Sequence, residues 1–323
     1  FLAAQRDPSV MIGGVLPALG CGHRVGKGDT IILESCEYCN SFHSFFPTVA
    51  VILNVEADHL DFFSGLEDVK KSFRTFADLV PAHGHVVANL DNVNTMDALK
   101  GHGGHVITYS VRNEQADCHA ANIVFEKGLP SFDVVIAGEV YAHVSLQVGG
   151  EHNISNALAA AAAAWALKVP GQAVEEGLGS FVGAGRRFER KGEFNGAAVY
   201  DDYAHHPDEV AATISSVRSA MPGKRLVLAF QPHTYTRTHA LFADFVEELK
   251  RVDVCCVAEI YAAREQNLIG ISSRDLVAKI PGATYCETLP EVTEFLKANV
   301  QPGDIVLTVG AGDIYRAGEA LVK

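Results

Sequence analysis

Carboxylates and a histidine are concentrated in residues 54–61, N-V-E-A-D-H-L-D, directly after an apolar run. That run, residues 49–53, predicts a buried strand, and ligands of α/β proteins gather at the carboxyl ends of such strands. A second acidic segment, E-S-C-E at 34–37, follows another predicted strand at 30–33. The two segments therefore share the same order of strand and then polar loop.

If these two strands are neighbours in a parallel sheet, Glu34 and His59 converge. A carboxylate and an imidazole could then hold a divalent cation beside nucleotide phosphates. Magnesium prefers oxygen ligands, and manganese accepts a histidine more readily. Spacing alone leaves an alternative open, in which these are helix-capping and surface carboxylates with one loop histidine.

Polar residues also follow two predicted strands in the second half of the chain. D-D-Y-A-H-H-P at 201–207 follows a strand at 197–200, and Q-P-H-T-Y-T-R at 231–237 follows a strand at 226–230. We expect the two strand ends to be adjacent and to bring histidines, carboxylates and an arginine to one crevice. Arginine there could hold a carboxylate or phosphate through paired hydrogen bonds. Each of these residues taken singly is better interpreted as a member of an ordinary ion pair or, for the H-P pair, as a helix start. For the whole set we prefer the interpretation as a site.

Composition limits the class of protein. The chain has 323 residues, 48% hydrophobic and 20% charged, which suits a soluble globular protein of two domains. Its net charge of -13 opposes general nucleic-acid binding, which needs basic patches. The apolar runs are too short for a membrane span, so we expect a cytoplasmic protein. Seven cysteines without a signal peptide make a disulfide framework improbable, and Cys36 and Cys39 are expected to be idle thiols.

The order of predicted elements favours an α/β fold. In the first half, four strands and a helix at 66–79 precede antiparallel strands within 121–148, and an alanine-rich helix ends at 168. Glycines and arginines at 183–192 interrupt the pattern. Beyond them strands and helices alternate as in a doubly wound, Rossmann-like domain. Further predicted elements are strands at 85–88, 106–109, 252–258 and 305–309, and helices at 207–220, 238–250, 274–279 and 290–299.

Five motifs occur in order along the chain: N-V-E-A-D-H at 54–59, H-N-x-x-N at 152–156, G-A-G-R-R-F at 183–188, D-D-Y-A-H-H-P at 201–207 and F-Q-P-H-T-Y-T-R at 230–237. Together they resemble the Mur ligase family. The resemblance implies a central ATP-binding domain over 1–189, incomplete at its N-terminus and carrying an added antiparallel β segment. It also implies a Rossmann-like C-terminal domain over 190–323 that binds amino acid and nucleotide.

The resemblance is greatest to members that join L-alanine to the lactyl carboxylate of UDP-N-acetylmuramate. It implies an ATP-dependent carboxylate–amine ligase that works through an acyl phosphate in peptidoglycan precursor synthesis. Its partners would be ATP, L-alanine and UDP-N-acetylmuramate, with Mg²⁺, or alternatively Mn²⁺, as the cofactor and no nucleic acid or membrane.

The resemblance also implies roles for individual residues, in three groups. The metal ligands would be Glu34 and His59. The nucleotide would be bound by His152, Asn153, Asn156, Arg187 and Asp202, the two asparagines contacting the adenine. The amino acid and the acyl acceptor would lie among Tyr203, His205, His233 and Arg237.

Three departures from the family pattern change what we expect. Family members begin with a UDP-binding domain and a G-T-x-G-K-T phosphate loop, and neither precedes Phe1 here, where residues 1–4 read as a helix that follows that loop. We therefore expect this chain alone to be inactive and to bind ATP weakly. E-S-C-E-Y-C at 34–39 replaces a more acidic segment but keeps Glu34. Thr234 replaces an arginine beside His233, which leaves Arg237 as the nearby cation.

Two other function classes stay open at this stage. One is a related ligase of cell-wall recycling that attaches a whole peptide and so needs a larger pocket around Tyr203 and His205. The other is a non-catalytic binding module. A nicotinamide dehydrogenase is disfavoured because no G-x-G-x-x-G follows the strand at 197–200.

Overall fold

A computed structural model of the protein describes residues 1–59, 62–126 and 128–323. The chain divides into two compact units, Phe1–Gly183 and Ala184–Lys323. This division falls a few residues before the predicted domain boundary at 189/190. Each unit has its own hydrophobic cores and is described by itself.

The first unit contains two sheets. A three-stranded sheet has the order β2-β1-β3, and a six-stranded sheet has the order β4-β5-β6-β7-β8-β9. In the larger sheet, pairing is parallel from β4 to β7 and antiparallel from β7 to β9, as predicted for the second part. The strands are β1 (Ser9–Leu16), β2 (Cys21–Arg24), β3 (Ile31–Leu33), β4 (Val49–Ile52), β5 (His85–Asn89), β6 (His105–Ser110), β7 (Cys118–Glu126), β8 (Leu129–Ile136) and β9 (Glu139–Ser145).

The alanine-rich helix packs across this larger sheet. Ile154 and Leu158 are fully buried against the strands, and the small alanines between them allow close approach of helix and sheet. Lys168, in a left-handed conformation, follows the helix, and Pro170 then caps a short helix that the sequence did not predict. The helices are α1 (Leu66–Asp78), α2 (Val93–Ala98), α3 (Glu151–Ala166) and α4 (Gly171–Gly179), with a 3-10 segment at Tyr38–Ser44.

Two predictions for the first unit were wrong. The strands that precede the acidic segments are β3 and β4, and they lie in different sheets: β3 pairs with β1, and β4 pairs with β5. Both are short apolar runs, and such runs do not encode which strand becomes the partner. Residues 2–5 form a hydrogen-bonded turn and not a helix, with Gln5 N donating to Leu2 O at 2.9 Å.

The second unit is a Rossmann-like α/β unit, as predicted. Its sheet has the order β10-β11-β15-β12-β13-β14, with every pair parallel except the edge pair β10-β11. The two central strands, β15 and β12, are fully buried, which explains their unbroken apolar sequences. The strands are β10 (Glu189–Phe194), β11 (Ala197–Asp202), β12 (Leu226–Phe230), β13 (Val254–Ala258), β14 (Thr284–Cys286) and β15 (Ile305–Val309).

Helices cover both faces of this sheet. One core joins the sheet to α5, α7 and α8, and the other joins it to α9 and α10. The helix predicted at 238–250 is two helices, which meet at Leu241. The helices are α5 (Pro207–Ala220), α6 (Tyr235–Ala240), α7 (Phe242–Leu249), α8 (Ser273–Val277), α9 (Leu289–Asn299) and α10 (Tyr315–Val322).

The sequence predicted that β11 and β12 are adjacent, and this was wrong. β15 lies between them and pairs in parallel with both. The carboxyl ends of three strands, and not two, therefore carry the polar loops at one edge of the sheet.

Within residues 1–59, 62–126 and 128–323, the helices are too short or too polar to cross a lipid bilayer.

Candidate active site

A cluster of three metal-ligating side chains lies in the first unit. Ligand atoms of Glu37, Asp58 and His59 all lie within 4.8 Å of one another, and His59 Nε2 is 3.4 Å from Glu37 Oε1. The His59 backbone is left-handed, with φ of 53°, and its N–H donates to Asp58 Oδ1 at 2.7 Å. This donor set, two carboxylates and one imidazole, fits a divalent cation. Leu60 and Asp61, the end of the predicted motif, lie outside the described residues.

Glu34, the predicted carboxylate ligand, has a different partner. Its Oε2 accepts a hydrogen bond from Gly13 N at 2.6 Å, in the small sheet to which β3 belongs. Glu37, three residues further on, begins the 3-10 segment and is the carboxylate that contacts His59. The expected convergence of Glu34 with His59 was derived from neighbouring strands, and those strands are not neighbours.

The H-N-x-x-N motif forms the first turns of α3. Asn153 Nδ2 donates to Gly149 O at 2.7 Å and lies 3.2 Å from His152 Nε2. Asn156 is exposed one turn further along, on the same face of the helix as Asn153. The three predicted nucleotide-binding residues of this motif are therefore together at a helix N-terminus, where the helix dipole also favours negative charge.

In the second unit, an arginine holds the ends of β11 and β15 together. Arg186 Nε donates to the fully buried Asp201 at 3.0 Å, and its Nη1 donates to Gly312 O at 2.8 Å. The guanidinium also lies between the rings of Tyr203 and Tyr315, 4.9 and 4.7 Å from their centroids. This is a fixed, stacked geometry that a lysine could not reproduce.

The two aspartates at the end of β11 are both buried. Asp202 accepts hydrogen bonds from Phe188 N at 3.0 Å and Ala204 N at 2.8 Å. Burial raises the pKa of Asp201 and Asp202, because desolvation outweighs the hydrogen bonds that favour their charged forms. Asp202 therefore shapes the loop that follows β11. Arg187 lies over the Tyr203 ring at 5.6 Å and adds positive charge beside it.

The histidines that follow β11 and β12 face one another. The ring centroids of His205 and His233 are 6.0 Å apart, and the rings meet edge to face. His205 Nδ1 lies 3.0 Å from Tyr203 O and 3.2 Å from Glu209 Oε2. The predicted convergence of these strand ends is thus confirmed, although β15 separates the strands.

His233 is held by residues from its own loop and from the loop after β13. Its ring stacks on Tyr261 at 5.6 Å, and its Nδ1 is 3.3 Å from Arg237 Nη1. Burial, then the nearby Arg237 charge and then His205 lower the pKa of His233. Thr234, in a left-handed conformation with φ of 67°, donates its backbone N–H to Tyr261 O. The lowered pKa of His233 favours its neutral imidazole.

Sequence reasoning missed four residues that organise this site: Arg186, Glu209, Tyr261 and Thr308. Arg186 stands next to the chosen Arg187, and only the fold distinguishes the partly buried Arg186 from the exposed Arg187. Glu209 could have been found from the sequence, since it lies three residues after the helix-capping His206 and completes a capping box. Thr308 and Tyr261 carried none, because their roles depend on strand order.

By their architecture, these two units are α/β structures with polar and charged side chains in the loops that follow parallel strands. Comparison with known families is more specific. The model of the Mur ligase middle domain matches residues 26–164, and that of the "Mur ligase, glutamate ligase domain" matches residues 186–312. This chain belongs to the Mur ligase family.

Individual relatives agree with the family models. UDP-N-acetylmuramate--L-alanine ligase of Caldanaerobacter subterraneus subsp. tengcongensis is 44% identical over 325 residues, which cover 99% of this chain and 70% of that protein. The enzyme of the same name from Lachnospira eligens is 42% identical and is covered to 71%. The crystal structure of UDP-N-acetylmuramate-alanine ligase from Thermotoga maritima superposes with a TM-score of 0.76 at 24% identity, over 99% of this chain and 69% of that one.

Proposed function

We propose that this chain carries the nucleotide-handling and amino-acid-handling parts of an ATP-dependent ligase that joins L-alanine to UDP-N-acetylmuramate. The observation that carries the proposal is the 44% identity with a relative of that name over 99% of this chain. Both the antiparallel extension of the first sheet and the Rossmann-like second unit lie within the matched span. A non-catalytic binding module is disfavoured because the relatives that match almost the whole chain at 42–44% identity are named as ligases.

The chemistry of such a ligase explains why it needs two kinds of site. A carboxylate is a poor electrophile, so ATP first converts it to an acyl phosphate, and the amine then displaces phosphate. The first step needs positive charge and hydrogen-bond donors around the transferring phosphoryl group. The second needs a free amine held close to the activated carbon.

In the first unit, we assign the nucleotide to the N-terminus of α3. Asn153 and Asn156 present amides on one helical face, which suits hydrogen bonding to the edge of a purine, and His152 lies beside them. A divalent metal, magnesium by preference, would be held by Glu37, Asp58 and His59, with Glu34 as the alternative carboxylate. When bound, it would supply positive charge that offsets the charge of the phosphates.

In the second unit, we assign the amino acid to the loops after β11 and β12. Arg237 supplies a cation for its carboxylate, while His205, His233 and Tyr203 surround its amino group and the reacting carbonyl. We also assign to Arg187 and Asp202, both in the second unit, a contribution to nucleotide binding. Thr234 brings no charge to this loop, so Arg237 is the cation that serves it.

A phosphate-release assay with the full-length protein tests the proposal. We expect release that requires ATP, L-alanine and UDP-N-acetylmuramate together. Replacing L-alanine with a cell-wall tripeptide distinguishes the recycling ligase: turnover with the tripeptide and not with L-alanine would overturn the proposal. The proposed cytoplasmic location is tested separately, by fractionation of cells.

A matched pair of variants tests the nucleotide site. Asn156→Ala removes an exposed amide from α3, and Gln172→Ala removes one from the exposed face of α4. We expect the first to raise the KM for ATP by about 10-fold, the size of one or two lost hydrogen bonds, and the second to leave it unchanged. Equal KM values for both variants would remove Asn156 from the site.

A further inference from the structure

His205 and His233 face each other at a ring separation of 6.0 Å, yet the two imidazoles have opposite hydrogen-bond partners. A neutral imidazole carries one N–H and one lone pair, and the partner of one nitrogen fixes the state of the other. The surroundings of each Nδ1 therefore determine what each Nε2 can do. The inference drawn from this rests on the proposed function, because it assigns roles within that reaction.

Among the residues that the structure describes, the two recorded partners of His205 Nδ1 are both acceptors. It is 3.0 Å from the carbonyl oxygen of Tyr203, which cannot donate, and 3.2 Å from Glu209 Oε2. The neutral ring must therefore place its proton on Nδ1, and Nε2 keeps its lone pair. Glu209 is itself fixed, because its Oε2 also accepts from the backbone N–H of His205 at 2.8 Å and of His206 at 3.2 Å.

Nδ1 of His233 has the opposite kind of partner. It lies 3.3 Å from Nη1 of Arg237, and a guanidinium can only donate. Nδ1 must therefore accept, and the proton of the neutral ring is on Nε2. Arg237, His205 and Glu265 are the charged or titratable groups that act on this ring, and Tyr261 stacks on its face.

We propose that the two histidines are fixed in opposite tautomers and have opposite roles: His205 Nε2 takes a proton from the α-ammonium group of the amino acid, and His233 Nε2–H donates to the oxygen that becomes negative. Glu209 is a positioning residue that orients His205 and holds the proton on its Nδ1. The arrangement resembles a carboxylate, histidine and nucleophile series, with an ammonium in place of a hydroxyl.

The proton and electron transfers balance. An N–H bond of the ammonium breaks, and its proton bonds to the lone pair of His205 Nε2, which leaves a neutral amine. The amine lone pair forms the C–N bond to the acyl phosphate, and the carbonyl π electrons move to oxygen, where His233 Nε2–H donates a hydrogen bond. Those electrons return to re-form the carbonyl, the C–O bond to phosphate breaks, and the second amine proton leaves with the phosphate. His205 then releases its proton to water.

The tautomers can be measured without any assay of activity. We expect ¹⁵N–¹H correlation spectra of ¹⁵N-histidine-labelled protein at neutral pH to show the proton of His205 on Nδ1 and that of His233 on Nε2. Spectra of His205→Asn and His233→Gln identify the two residues by loss of signals. The same tautomer in both rings would overturn the proposal, whatever the enzyme's activity.

Kinetics test the roles. His205→Asn keeps a donor near the Tyr203 carbonyl but has no base, so we expect kcat to fall about 100-fold, within the range of general-base contributions. Its rate should recover as pH rises and solvent supplies free amine. His206→Asn is the matched control: His206 caps α5, a role that asparagine performs well, and its pH profile should be that of the wild type.

Glu209→Gln separates positioning from structure. Glutamine can still accept from the backbone N–H groups, but its neutral amide oxygen is a weaker acceptor for Nδ1–H of His205, so the tautomer that leaves Nε2 free becomes less favoured. We expect kcat to fall about 10-fold with the KM for ATP unchanged, and part of the His205 NMR signal to change to the Nε2-protonated tautomer. An unchanged kcat and an unchanged His205 tautomer, with lowered stability alone, would reduce Glu209 to a helix cap. Full-length wild-type protein that is inactive but shows the expected tautomers would refute the proposed function, whereas active full-length wild type with an unaffected His205→Asn variant would refute only this inference.

Discussion

Asp201 accepts a hydrogen bond from Thr308 Oγ1 at 2.6 Å, and this bond joins the end of β11 to the neighbouring strand β15. Both side chains are completely buried. Together with the Arg186 guanidinium on the other oxygen of Asp201, the hydroxyl of Thr308 makes a charged carboxylate tolerable inside the second unit.

Replacing Thr308 by valine should destabilise the second unit by about 1–3 kcal/mol, the cost of leaving a buried charged acceptor without one of its donors. Valine has nearly the same shape as threonine, so the substitution creates no cavity that would add to this cost. Thr293→Val is the matched control. The recorded partners of the Thr293 hydroxyl are the backbone carbonyls of Leu289 and Ala317, so this substitution leaves no buried carboxylate without a donor. Urea unfolding of both variants checks the difference, and equal losses would contradict it.

The same substitution should change how stability depends on pH. Because the pKa of Asp201 is raised in the folded state, the folded protein binds a proton that the unfolded chain has released, and stability falls as pH rises through that window. Loss of the Thr308 donor raises this pKa further, so the fall should extend to higher pH. Unfolding free energies from about pH 4 to pH 7 measure this, and parallel curves for variant and wild type would contradict it.

Arg237→Gln should raise the pKa of His233. Burial is the largest cause of the lowered pKa of His233, and the positive charge of Arg237 is the second. Removing that charge should therefore bring the pKa part of the way back to its usual value. NMR titration of the His233 ring protons measures the shift. Arg190→Gln, which removes an exposed arginine paired with Glu193, should leave the titration unchanged.

Gly310→Ala should destabilise the loop after β15. Gly310 has φ of +147°, and a Cβ there would lie 2.5 Å from the carbonyl oxygen of Gln231. The strained backbone and the clash together should cost about 1–3 kcal/mol. At Gly103, in the first unit, a Cβ would meet nothing within 4 Å, so Gly103→Ala is the neutral comparison in thermal unfolding. An unchanged melting temperature for Gly310→Ala would show that the loop can move aside.

Glu37→Gln and Glu34→Gln distinguish the two carboxylates offered for the metal. The structure places Glu37 against His59, so we expect the first substitution to weaken Mn²⁺ binding by about 10-fold or more and the second to leave it unchanged. Electron paramagnetic resonance of free Mn²⁺ measures both affinities. The reverse order would restore Glu34 as the ligand.

The sequence predicted the central helices and strands of the second unit well, because buried parallel strands such as β12 and β15 have unbroken apolar sequences with turn signals at their ends. The prediction failed where the structure depends on which strand pairs with which. Both β3, which joins the small sheet, and the insertion of β15 between β11 and β12 depend on pairing between distant segments. For the same reason, His205 and His233 could be predicted from residue type, whereas Thr308 could not.

The position of β15 also has a consequence for the order of events during synthesis. β11 and β12 lie on either side of β15, and the register between Asp201 and Thr308 links residues 107 positions apart. Such long-range pairing is slow and requires the later strand to be available. While a ribosome is still making the segment before Ile305, the two histidine loops therefore have no shared strand to align them. The second unit should therefore stay incompletely folded, and exposed to binding by chaperones and cleavage by proteases, until β15 has left the ribosome and inserted between β11 and β12.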